Sequence, residues 1–142
     1  MRTRDIDVAW RLLRYGLGLG AFLAGLDKFL NLLTTWTMYL NPLALKVIPV
    51  SADTFMRSAG AVEMIVGAAI LTRWPREGAA IASAWLVAIA VSLVAQGSFF
   101  DIAVRDAEMA IGAAALALLS NARIAASARQ VPSAATALRR SA

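Results

Sequence analysis

The sequence predicts an all-α integral membrane protein built as a four-helix bundle, and three observations carry that reading. The chain is 60% hydrophobic and 16% charged over 142 residues, with the apolar residues gathered in long blocks rather than scattered over core positions. Gly78 to Phe100 gives 23 consecutive positions without a charge, which at about 1.5 Å per residue exceeds a hydrocarbon core of roughly 30 Å. Three more apolar stretches accompany it, each long enough to span if a few charges within it are tolerated. The length fits one domain. Residues 1–122 are read as the four-helix domain and 123–142 as a basic, Ala/Ser-rich cytoplasmic tail.

The first helix is expected at Val8–Leu33. The basic lead "MRTRDIDVAWRLLR" runs into an apolar stretch with no cleavage signal, so the helix is read as retained. Tyr15 to Leu26 is uncharged, and Asp27 and Lys28 follow. In "TTWTMYLNPLALKVIPVSADTF", Pro42 and Pro49 break any long helix while Trp36 and Tyr39 suit a membrane interface. A partly helical cap lying along the membrane is expected there, either an ordinary interfacial loop or a lid over a pocket. The second helix, Asp53–Thr72, is apolar from Ser58 onward except at Glu63; the third, Gly78–Gln96, is the uncharged span; the fourth, Asp101–Asn121, is uncharged from Met109. The tail "NARIAASARQVPSAATALRRSA" reads as a disordered or lipid-surface segment drawn to anionic headgroups.

Lys and Arg set the orientation. Ten of the fourteen fall before or within the first two turns of helix 1, between helices 2 and 3, or after helix 4; the other four are Lys28, Lys46, Arg57 and Arg105. Both termini are therefore expected in the cytoplasm of a bacterial-type inner (plasma) membrane. The net charge of +5 is a topology signal, and nothing supports a nucleic-acid partner. The chain has no Cys and no His, which excludes thiol–disulfide exchange, iron–sulfur ligation, His-ligated haem and the usual zinc or copper sites. No haem and no metal are expected.

Chemistry then falls to the charges within the spans. Glu63 lies 10 residues from Arg73, about 15 Å along a helix and so near mid-membrane. Asp27 and Glu108 fall in the outer third on the same count. By helical phase, Asp101, Arg105, Glu108 and Gly112 share one stripe, with Asp106 off it; Arg57, Gly60, Glu63 and Gly67 share another; Gly16, Gly20, Asp27 and Asn31 a third; Trp85, Ser92 and Gln96 a fourth. Small residues mark helix contacts in membranes, and ionisable groups face the bundle interior. A polar pocket open to the outer face follows, in which Asp27, Glu63 and Arg105 converge and Glu108 forms a wall. The structural alternatives are end caps and an Asp101–Arg105 pair across one helical turn. They apply least to Glu63, because a mid-membrane acid costs about 2.5 kcal/mol or more unless paired or protonated.

The stretches "GLDKFLNLLTTWTMYLNP", "AGAVEMIVGAAIL", "REGAAIASAWLVAIAVSLV" and "FFDIAVRDAEMAIGAAALAL", in that order from about Trp10 to Leu119, resemble the DoxX/DoxD-like family of small membrane proteins. The resemblance implies a four-helix membrane protein acting as a subunit of a redox complex, as in thiosulfate:quinone oxidoreductase, with a second subunit. It implies polar positions at Lys28, Glu63, Asp101, Arg105 and Asp106.

On this reading the pocket takes a quinone or a small anionic substrate. Glu63 and Asp27 are candidate catalytic proton relays; Lys28, Arg57, Asp101, Arg105, Asp106, Glu108, Gln96 and Trp85 are candidates for binding. The expected partners are the lipid bilayer, a protein or second redox subunit, and a further copy of the chain. The alternatives are a non-enzymatic scaffold that docks another protein and, with less support in the absence of an inverted repeat, a small transporter.

Overall fold

A computed structural model describes the backbone of residues 3–140 and the side chains of residues 4–128. It is all-α: α1 Thr3–Leu30, a 3-10 turn Trp36–Tyr39, α2 Pro42–Val47, α3 Ala52–Leu71, α4 Pro75–Gln96 and α5 Phe100–Arg140. The expected long helices are all present. α1 starts five residues earlier than expected and stops at Leu30, and α4 starts at Pro75, whose fixed φ suits the first helical turn. The largest difference is α5, which passes the expected end at Asn121 and continues to Arg140. Alanine is the best helix former, and the segment after Asn121 is rich in it. Side chains past Ala128, and with them the lipid-surface role expected of the tail, lie outside the described residues.

Three helical stretches are long and apolar enough to cross a membrane: Ala52–Leu71, Pro75–Gln96 and Phe100–Ala128. α1 differs, carrying Arg11 and Arg14 low in the helix and Asp27 and Lys28 near its end. The helices pack chiefly as two pairs, α1 on α3 and α4 on α5, with α3 also meeting α4 and α1 meeting α5.

Glycine makes the first pair close. A methyl group added at Gly25 would lie 2.5 Å from the Gly60 carbonyl oxygen, and one at Gly67 would lie 2.7 Å from that of Gly18. Two glycines seven apart on α1 thus face two seven apart on α3, so the backbones touch without side chains between them. The expected contact stripe on α1, Gly16 and Gly20, is not the one used: a methyl group at either would meet nothing within 4 Å. α5 packs through Ala103, Ala110, Ala113 and Leu116, all buried.

The shared end of the bundle, where Arg14, Thr72, Pro75 and Arg123 gather, is tied by polar contacts. Arg14 donates from Nε to the Ile70 carbonyl at 2.9 Å and from its terminal nitrogen to that of Leu71 at 2.7 Å and to that of Thr72. These are carbonyls that the end of α3 leaves without helical partners. Trp10 donates to Ser120 Oγ at 2.8 Å, Arg123 pairs with Asp7, and both Arg14 and Arg123 lie over the Trp10 ring. Ile70, Ala79, Ala82, Ala113 and Leu116 form the apolar core above them.

A candidate ligand cavity beside a buried ion pair

At the opposite end the two helix pairs separate around a cavity of about 610 Å³. Lys28 from α1 and Glu63 from α3 meet beside it, Nζ to Oε2 at 2.6 Å, both buried at 7% and 9% exposure. The close α1–α3 approach explains the pairing: Gly60 sits directly against the Lys28 stem, one turn from Glu63. Trp85 on α4 donates its indole N–H to Glu63 Oε1 at 3.2 Å. Both carboxylate oxygens are therefore engaged.

A second set of contacts ties the connecting segment to this pair. α1 ends as Asn31 turns left-handed (φ 52), and Asp27 Oδ1 then accepts from the Leu32 and Leu33 amides at 3.0 and 3.2 Å. Trp36 donates its indole N–H to Asp27 Oδ2 at 2.7 Å, and Lys28 Nζ lies 3.7 Å from the centre of the Trp36 ring. One tryptophan thus holds the anion through its edge and the cation through its face. Asn41 caps α2 by accepting from the Leu43 amide and donates to the Ser92 carbonyl on α4 at 3.3 Å. Tyr39 packs edge-on against Phe99, ring centres 4.8 Å apart. The expected cap is present, partly helical and fastened to α1 and α4.

The cavity brings together some of the candidate residues and leaves others out. Lys28, Glu63, Trp85, Arg105 and Asp106 line it, whereas Asp27, Arg57, Gln96, Asp101 and Glu108 do not. Asp27 is buried but anchors the loop. Arg57, Asp101 and Glu108 are exposed, and Asp101 forms no ion pair with Arg105 among the described residues. Gln96 is half-buried, its Oε1 without a hydrogen-bond partner. The wall expected of Glu108 is supplied by Asp106. α5 sets its buried face by the stripe Ala103, Ala110 and Ala113, and Asp106 shares that face while Glu108, two residues on, is rotated by about 200°.

Sequence reasoning did not find the roles of Asn41 or Arg14. The polar contacts of Trp36 were also missed, because an interfacial aromatic needs no partner and its nine-residue separation from Asp27 has no helical meaning. No group of three or more potential metal ligands occurs among the described residues. The chain matches no family profile, no curated protein and no solved structure.

Proposed function

We propose that this chain is a multi-pass protein of a bacterial-type inner membrane, with α1, α3, α4 and α5 all crossing and both termini cytoplasmic. In this reading it serves as the membrane subunit of a quinone-linked redox complex, as the DoxX/DoxD resemblance implies. The charges of α1 are compatible with insertion because the inward ones are spent. Arg14 binds backbone carbonyls, Lys28 binds Glu63, and Asp27 is saturated by loop donors.

The observation that carries the reading is a largely apolar cavity with Lys28, Glu63 and Trp85 gathered at its wall. Its roughly 610 Å³ falls within the range of about 300–1,000 Å³ common for small-molecule sites, which are apolar with a few placed polar groups. A quinone fits that lining: a flat, largely apolar ring for a cavity bordered by Trp85 and Tyr39, and carbonyl oxygens for Lys28 and Arg105. When bound, it supplies two-electron, two-proton chemistry. The chain's part is to bind and orient it and to hold or release a proton at the Glu63 and Asp106 carboxylates. The electrons are taken to come from a second subunit, as the DoxX/DoxD resemblance implies.

Organic extraction of the detergent-purified protein followed by mass analysis tests this. A near-stoichiometric prenylated quinone is expected, and its absence from protein purified out of quinone-rich membranes would overturn the reading. The scaffold alternative is favoured by one observation, the closure of the Lys28–Glu63 pair with both Glu63 oxygens occupied. In that case the pair sets only how α1 packs on α3.

A further inference from the structure

We infer that the ligand of the cavity is a tailed amphiphile whose hydrocarbon chain leaves sideways, between α1 and α5, into the bilayer. The inference rests on the membrane reading above and narrows its ligand, away from a small water-soluble anion. Two side-chain contacts join α1 to α5, Asp7 with Arg123 and Trp10 with Ser120, and a methyl group added at Gly112 would lie 4.0 Å from Leu13. Higher on α1, a methyl group added at Gly16 or Gly20 would meet no atom within 4 Å. That side of α1 is therefore open at their height.

Helical phase identifies what faces the gap. Leu13 and Gly20 are seven residues apart on α1, and Gly112 and Arg105 seven apart on α5, so each pair shares a face. The helices run in opposite directions, and Gly112 turns toward Leu13 the side on which a methyl group would approach it. Gly20 therefore borders the gap on α1, where there is no side chain, and Arg105, a long cation, borders it on α5. Both residues are exposed and both line the cavity. One opening thus connects the cavity to the outside of the bundle.

Its depth decides the ligand. Gly20 lies six residues above Arg14, about 9 Å into the span and so level with lipid acyl chains. A small anion would enter from the aqueous end, beneath the Trp36–Val47 cap, and has no use for a cleft opening onto hydrocarbon. A headgroup beside Lys28 and Glu63 with a chain passing between Gly20 and Arg105 uses the whole space. Arg105 then stands where its N–H groups meet a carbonyl or phosphate oxygen at the head of the chain.

The test reconstitutes the protein in phosphatidylcholine vesicles with acyl chains brominated near their middle and reads the Trp85 fluorescence as the difference between wild type and Trp85→Phe. Bromines should quench Trp85, and the quenching should fall at least twofold in Gly16→Leu/Gly20→Leu, whose melting temperature should be no lower because the added side chains enter open space. Gly20→Val alone should give a smaller loss in the same direction. An unquenched Trp85 in wild type, or equal quenching in the filled variants, overturns the cleft. Quenching without an extractable quinone removes the quinone reading and leaves the cleft standing; an extracted quinone with Trp85 beyond reach of the bromines does the reverse.

Discussion

The two ends of the bundle spend their charges differently. At the Arg14 end, the arginines close on backbone carbonyls, a carboxylate and the Trp10 ring, and the apolar core begins directly above them. At the Lys28 end, a similar grouping of cation, carboxylates and tryptophans stands at the wall of an open cavity. Charge and aromatic residues alone therefore do not mark a site. What separates the ends is the space beside them, and that space follows from where the helices can touch: glycine against glycine along α1–α3, and α1 against α5 at Asp7–Arg123 and Trp10–Ser120 near the Arg14 end.

Several substitutions break or sharpen this contrast. The largest effect is expected from Glu63→Ala or Lys28→Met alone, each leaving a buried charge without its partner and costing about 3–5 kcal/mol. A chemical melt in detergent checks it, and a loss under about 1 kcal/mol would mean that water already solvates the pair. Arg14→Met at the other end removes charged hydrogen bonds to carbonyls, and about 1.5–3 kcal/mol is expected in the same melt. Gly67→Ala should cost about 1–3 kcal/mol by forcing α1 and α3 apart, since the methyl group would lie 2.6 Å from the Phe22 amide nitrogen. The smallest effect has the opposite sign: Gly16→Ala, in open space, should stabilise by up to about 1 kcal/mol through helix propensity.

The existence and order of the long helices were legible because hydrophobic runs and their punctuation are local. Glu63 was singled out because an acid flanked by long apolar stretches is costly wherever it lies. Its partner was not legible, since Arg57, Arg105 and Lys28 all satisfy the same charge requirement and only the Gly25–Gly60 contact selects Lys28. The phase of α5 misled for a related reason. Gly112 drew attention to the stripe of Glu108, whereas alanines, which are common throughout this chain and so carry little signal, set the buried face that includes Asp106.

The most direct test of whether the cavity end exists for a ligand rather than for stability is to replace both members of the pair at once, Lys28→Met with Glu63→Leu. Exchanging a buried ion pair for apolar groups of similar volume is often neutral or stabilising, so the double variant should melt near the wild type and well above either single variant. Quinone recovered by extraction from the same preparations should fall at least tenfold. Full quinone recovery from a stable double variant would contradict the account, leaving Lys28 and Glu63 as a packing device like Arg14 at the other end.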